Sequence, residues 1–281
     1  QPSELTKIGL VLVGALILAN KRASLGRVTH AVVPYLVPVA AVTIGLVLVG
    51  HDLGTALVLL GIVGAVMYAA GVPGRLFAIA SAAAALLAAV LVVTSANRMD
   101  RIGNWLSGSC TDPNGECGQS VHGLYALADG GWWGVGLGAS KEKWSWLPAA
   151  HNDFIFAIIG EELGLPGTFV ILALFALLAS ACYRIVTRST DQFVRIAAAG
   201  AMSWILLQAM INIGAVIGLL PVIGVPLPLV SAGGSALVTT LLVMGMLVSF
   251  ARAEPGAAEI LAARPGVIQR SLAVLPRRRA R

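Results

Sequence analysis

The stretch His151-Asn-Asp153-Phe-Ile-Phe-Ala-Ile-Ile-Gly-Glu161-Glu162-Leu-Gly sets three carboxylates and a histidine at the edge of an apolar run. Carboxylates in such a place are costly unless they are paired or used. Asp153 precedes the run and can cap a helix N-terminus. The functional alternative is a general base or a metal ligand, which the titratable neighbours favour. Glu161 and Glu162 can instead bond within a bundle. Glu4 and Lys7, three apart, share a helix face as an ion pair or as part of a polar site. Arg98 and Arg101 have the same spacing and can present two guanidinium groups to one anion, or snorkel to headgroups. Gln208 and Asn212, four apart in an apolar segment, predict hydrogen bonds between helices. Cys110 and Cys117 enclose Thr-Asp-Pro-Asn-Gly-Glu, turn chemistry that can bring two thiols together. A disulfide and two free thiols both fit that pair. Cys182 reads as a small core hydrophobe. Gly134-Val-Gly136-Leu-Gly138 lacks the βαβ context of a dinucleotide fingerprint and reads as turning backbone.

These residues must be positioned by elements that live in lipid. Of the 281 residues, 58% are hydrophobic and 11% charged, and the mean hydropathy is +0.88. A soluble domain carries roughly a quarter charged residues. The composition excludes a water-soluble enzyme, a disordered protein and a disulfide-stapled secreted domain. Continuous apolar runs argue against a β-barrel. The fold class expected is an all-α polytopic membrane protein, its spans ~20 residues long. Seven apolar segments stand out, approximately Leu5–Ala19, Ala31–Gly50, Leu53–Ala70, Leu76–Ser95, Gly167–Tyr183, Ile196–Leu219 and Leu227–Phe250. Backbone in a bilayer must satisfy itself, so these are expected as helices.

Alternate loops divide the charges sharply. One side holds fourteen basic residues, among them Lys21, Arg75, Arg184, Arg195 and Arg277–Arg279, against three acids. The other holds five basic residues against ten acids. The basic side is therefore expected in the cytoplasm. The high pI reflects insertion, with the tail arginines near anionic lipid, and no nucleic-acid partner is expected. Residues 1–252 are expected as the membrane domain and 253–281 as a basic, loosely ordered cytoplasmic tail. Residues 96–152 form a long extracytoplasmic loop, the kind of segment that is usually functional. It carries five of the six tryptophans, suited to an interfacial belt or to a platform for an amphiphilic substrate.

Five stretches together resemble a known family: Gln1-Pro-Ser-Glu-Leu-Thr-Lys7, Asp52-Leu-Gly-Thr55, His151 to Gly164, Gln208-Ala-Met-Ile-Asn212, and Pro226-Leu-Pro-Leu-Val-Ser-Ala-Gly-Gly-Ser235. They are similar to the SEDS family (shape, elongation, division and sporulation), most of all its division branch, in the family's order from Gln1 to about Arg252. The resemblance implies a bundle of about ten helices, about three of them ahead of Gln1. It implies a peptidoglycan glycosyltransferase that polymerises lipid II on the outer membrane face. Implied partners are a class B penicillin-binding transpeptidase and other division-complex membrane proteins.

Asp153 matches the family's essential aspartate. Lys7, Arg98, Arg101 and Lys143 match basic positions around the substrate cavity, and Glu4, Gln119, Asn212 and Ser231 match polar ones. No role carries over to Val222, Ile223, Ala232 or Asp129, where the chain departs from the family pattern. Asn152 also departs, standing where a Thr is usual. Polymerisation needs a base for the attacking sugar hydroxyl and positive charge for the leaving pyrophosphate. Asp153 is expected as base or metal ligand, with Mg or Mn as a possible divalent cation and no other cofactor. Lys7, Arg98 and Arg101 are expected to clamp pyrophosphate, and an apolar groove between spans to hold the polyprenyl tail. The competing classes are a lipid II flippase, with polar residues lining a path, and a division scaffold without chemistry. A serine hydrolase using His151 and Ser231 lacks a nucleophile elbow.

Overall fold

The computed structural model describes residues 1–21, 33–107, 118–144, 147, 150–254 and 256–257, without the side chains of 84, 88, 91, 96–98 and 107. Every regular element among the described residues is a helix. In chain order they are α1 (Pro2–Asn20), α2 (Val33–Val49), α3 (Leu53–Ala70), α4 (Gly74–Val93), α5 (Ala96–Ser107), α6 (Gly118–Gly130), α7 (Ile155–Arg188), α8 (Gln192–Val216) and α9 (Gly234–Arg252). Among the described residues, α1, α3, α7, α8 and α9 are long and apolar enough to cross a membrane, while α2 and the Gly74–Leu87 part of α4 are shorter apolar runs. Each of the seven expected spans coincides, over most of its described length, with one of these helices.

Local chemistry sets the ends. Asp52 Oδ1 accepts from Thr55 N at 2.9 Å and starts α3. Gly71, at φ +84°, ends it in the left-handed conformation, which costs glycine nothing. Asp191 Oδ1 accepts from Phe193 N at 2.8 Å and starts α8. Within α2, Leu36–Ala41 widens to a π turn around Pro38, because proline supplies no N–H and crowds the preceding turn.

The core runs along α8, which packs against α3, α1 and α7. Ala197, Ala198 and Ala201 are buried there, small enough to let neighbouring backbones close in. Leu10, Leu18, Leu59, Ile62, Ile196 and Trp204 fill the space between. A second, smaller core of Ala126, Leu147, Phe154, Ala157 and Leu227 lies under the Asp153 end of the bundle.

Two boundaries differ from the sequence reading. The last span begins at Gly234, not Leu227, because Pro226 and Pro228 cannot sustain a helix despite their apolar neighbours. The α7 helix begins at Ile155, ahead of the expected Gly167, and bends at Gly164, with φ +64° and ψ −158°, just before Pro166. That backbone region is essentially reserved for glycine. The bend frees the carbonyls of Glu161 and Glu162, which accept from Val135 N at 2.9 Å and Gly136 N at 3.1 Å. Leu165 N donates to Gly131 O at 3.2 Å. A Cβ on Gly164 would lie 2.8 Å from Trp132 O, and one on Gly134 2.6 Å from the carbonyl carbon of Glu162. Loop 131–138 is therefore stitched into the kink backbone to backbone.

Candidate active site

Asp153 sits in the turn His151–Phe154 that leads into α7. It does not cap that helix: the N-cap is Phe154, without a side-chain cap bond. The capping reading of the sequence is thereby set aside. Three consecutive carbonyls of the turn are held from outside. Ala232 N donates to His151 O at 3.1 Å, Ser231 Oγ to Asn152 O at 2.6 Å, and Asn212 Nδ2 to Asp153 O at 2.7 Å.

The loop that supplies two of these donors is tightly wound. Ser231 Oγ accepts from Leu227 N at 2.8 Å, and Ser231 N returns to Leu227 O at 3.0 Å. Between them Leu229 takes φ +65°, a strained conformation for a branched side chain. Asn212 Nδ2 also donates to Val225 O at 2.7 Å, and Gln208 Nε2 to Pro226 O at 2.9 Å. The expected helix-to-helix bonds of Gln208 and Asn212 thus go largely to the carbonyls of this proline-broken loop, which no helix satisfies.

The side chain of Asp153 is treated differently from its backbone. Its Oδ1 is buried without a hydrogen-bond partner among the described residues, as are Asn152 Oδ1 and Asn212 Oδ1. Burial pushes the Asp153 carboxyl above the ordinary carboxylate range, against a smaller opposing pull from His151. A cleft of about 10 Å³ adjoins it, lined by Asn212, Val216, Val222, Gly224 and Val225. That is room for a water-sized group and not for a sugar.

The cations are distributed rather than gathered around the carboxylate. Arg101 of α5 donates to Val222 O at 3.4 Å, so it reaches the rim of the same cleft. Arg98 lies one turn earlier on α5, and its side chain falls outside the described residues. Lys7 is 1% exposed. Its Nζ donates to Glu4 Oε1 at 2.7 Å and to Gln208 Oε1 at 3.1 Å and lies 5.4 Å from the centre of a Trp204 ring. Trp204 Nε1 donates to Gln208 Oε1 at 2.8 Å, and Thr239 Oγ1 to Glu4 Oε2 at 3.4 Å. Lys7 and Glu4 thus form the core of a closed polar network between α1, α8 and α9. Trp204 and Thr239 belong to it and were missed in the sequence, although Trp204 lies one helical turn from Gln208.

Lys143 pairs with Glu162 Oε1 at 2.5 Å and stands over Trp144. Beside that pair, Glu161 accepts from Ser140 Oγ and Lys141 N at 2.5 and 2.7 Å. His122 Nδ1 meets Glu142 Oε2 at 2.8 Å. Gln119 is half-buried at the start of α6. Cys110 and Cys117 lie outside the described residues. Cys182 is buried and free, as expected of a core residue. Trp132, Trp133 and Trp144 are strongly exposed, whereas Trp105 Nε1 donates to Gly218 O at 2.9 Å and ties α5 to the end of α8. Away from Asp153, an apolar cavity of about 860 Å³ opens between α2, α3 and α4, lined by residues such as Leu36, Ile44, Leu60, Phe77 and Leu87.

Fold and site together define a multi-pass helical membrane protein with a half-buried carboxylate at one end of the bundle. The family model described as a cell cycle protein, FtsW/RodA/SpoVE, matches residues 1–255, and the chain belongs to this family. A Mycobacterium tuberculosis protein described as a probable peptidoglycan glycosyltransferase FtsW is 44% identical over 267 residues, covering 94% of this chain and 50% of that protein. The stage V sporulation protein E of Bacillus subtilis is 36% identical over 252 residues, covering 90% and 68%. Among solved structures, a chain from a peptidoglycan synthase complex gives a TM-score of 0.69 at 28% identity, covering 88% of this chain and 68% of that one. The rod shape determining protein RodA of Thermus thermophilus gives 0.60 at 27% identity, covering 90% and 66%. The chain spans about half the length of the mycobacterial relatives it matches.

Proposed function

We propose that the protein containing this chain is a peptidoglycan glycosyltransferase that polymerises lipid II into glycan strands at the outer face of the bacterial plasma membrane during division. Its partner on this reading is a class B penicillin-binding transpeptidase. The observation that carries it is the state of Asp153: the backbone is pinned at three carbonyls while one carboxylate oxygen is left without a donor. A base needs that combination of fixed position and open lone pairs. Burial raises its proton affinity, the direction that makes a carboxylate a stronger base. Similarity to proteins described as FtsW supports the substrate and the division role.

In this mechanism Asp153 takes the proton of the sugar 4-hydroxyl as that oxygen attacks the anomeric carbon of the neighbouring unit. The lipid pyrophosphate leaves with both bonding electrons. Arg101 at the cleft rim, with Arg98 one turn away, is the cation best placed to receive it. Lys7 serves from within its network, by holding α1 and α8 in register rather than by clamping phosphate. Lys143 works through Glu162, keeping the loop against α7, while Gln119, half-buried at the start of α6, is a candidate sugar contact. A sugar enters only when the Val222–Val225 rim moves off Asp153. The apolar cavity between α2, α3 and α4 suits the polyprenyl tail. A divalent cation would be held by Asp153 and phosphate oxygens of the substrate, a ligand set typical of Mg²⁺; among the described residues no cluster of three or more His, Cys, Asp or Glu offers a protein cage.

The distribution of charge supports the sidedness of this reading. Arg188 and Arg252 end α7 and α9 at the pole opposite Asp153, which supports a cytoplasmic side for that pole and for the C-terminus on this reading. The test is polymer formation by the full-length protein purified with its transpeptidase. Asp153→Ala is expected to reduce polymerisation from lipid II by about 10²- to 10⁴-fold, and retained polymerisation would remove the base assignment. Polar groups sealed inside the bundle also suit a lipid II flippase; flipping in vesicles without polymer would favour that reading.

A further inference from the structure

Asn212 and Ser231 match polar positions around the family's substrate cavity, yet neither keeps a side-chain donor for a substrate. Both are buried, at 3% and 6% exposure. Every proton that they donate goes to a backbone carbonyl. Asn212 Nδ2 spans Asp153 O and Val225 O, both at 2.7 Å. Ser231 Oγ spans Leu227 N and Asn152 O, at 2.8 and 2.6 Å.

Resting on the reading of Asp153 as the base, we infer that Asn212 and Ser231 are positioning residues whose donors act on the reaction through the Asp153 turn. The physical need is plain. The turn precedes the first helical residue, Ile155, so the carbonyls of His151, Asn152 and Asp153 receive no ladder bonds there and would otherwise be satisfied by water or left unpaired. With His151 O taken by Ala232 N, the three clamps come from two directions: Asn212 from α8, Ser231 and Ala232 from the loop before α9. A turn pinned at three successive carbonyls has little freedom to rotate its peptide planes, so the direction of the Asp153 Cα–Cβ bond is fixed. The clamps take the backbone and leave the carboxylate alone, since Asp153 Oδ1 receives no donor from either residue. Side chains that bound the sugar directly would instead keep donors for it, and the two Asn212 protons are already given away.

The arrangement also explains why Ser231 follows a strained Leu229. The winding from Leu227 to Ser231 turns the hydroxyl back to meet Leu227 N while leaving its own proton for Asn152 O. A hydroxyl is needed at 231, since it must accept once and donate once.

The experiment compares Ser231→Ala, Ser231→Thr and Asn212→Asp in the full-length protein with its transpeptidase, using lipid II as substrate. Ser231→Ala and Asn212→Asp are expected to lower kcat about 10- to 100-fold, the cost of sub-ångström misplacement of a catalytic group, with KM for lipid II within about twofold. Ser231→Thr keeps the hydroxyl and is expected to restore most of kcat. A rise in KM with kcat unchanged would overturn the inference and return both residues to substrate binding. Hydrogen exchange of the amides of residues 152–156 supplies a second measurement that does not depend on activity: faster exchange in Ser231→Ala and parent-like exchange in Ser231→Thr are expected. Unchanged exchange in Ser231→Ala would overturn the clamp. Should Asp153→Ala remain active while Ser231→Ala loosens these amides, the base assignment fails and the clamp stands. A protein that misfolds as Ser231→Ala is judged on Asn212→Asp, which preserves side-chain shape.

Discussion

Two polar groups lie near the same end of this bundle and are built on opposite terms. In the first, Glu4, Lys7, Gln208, Trp204 and Thr239 interlock, each polar side chain meeting a partner. In the second, three successive carbonyls of the Asp153 turn are bonded while three side-chain oxygens nearby have no donor. A buried polar network stabilises a unique packing only when every member is satisfied. Unsatisfied acceptors are retained at a cost, which is the mark of a place where something else is meant to bind. The difference separates architecture from chemistry more sharply than residue type does, because both groups contain carboxylates and amides.

The largest expected effect breaks the closed network. Lys7→Met leaves Glu4 as a buried charge without its cation and should destabilise the protein by about 3–5 kcal/mol, measured as unfolding in detergent. Adding Glu4→Gln should recover most of the loss, because the charge to be compensated is gone. If Lys7→Met unfolds like the parent, the network is not the fastening described. Gln208→Leu tests the join between the two groups. It strips Trp204 Nε1 of an acceptor and Pro226 O of a donor and should cost about 1–3 kcal/mol.

The smallest effect has the opposite sign. The Asp153 carboxyl holds its proton more tightly folded than unfolded, because burial penalises the charge. The penalty is absent below the ordinary carboxylate range and grows as pH rises through the window up to the raised value. Asp153→Asn removes it, so the variant should melt above the parent at pH ~7 and level with it near pH ~3. A variant that melts below the parent at neutral pH would mean that the carboxylate is structural after all.

Much of the fold was legible because a bilayer demands long apolar runs, and composition alone forced the helical answer. The early start expected for the last span is instructive. Pro226-Leu-Pro-Leu-Val is as apolar as a span, but its prolines and the left-handed Leu229 make it a loop. Hydropathy counts side chains and is blind to backbone. The pairing of Glu4 with Lys7 could be read from their spacing. Their burial against Gln208, 201 residues further on, could not, since no local pattern records which helices meet. For the same reason Asn212 was expected to serve another helix or the substrate. Its partners are the carbonyls of Asp153, in the turn before α7, and of Val225, in the loop between α8 and α9.

The bend in α7 carries a mechanical corollary. Buried positions recur between Phe156 and Thr168 and again at Cys182 and Ile185, with none between Thr168 and Cys182. The helix is thus a strut anchored at two heights, and its upper anchorage is the knot with loop 131–138 beside Gly164. A strut of this kind pivots at its fastenings. A change in tilt imposed on the lower shaft, by a neighbour or by bilayer thickness, would arrive at the knot as rotation, about three helical turns from Asp153.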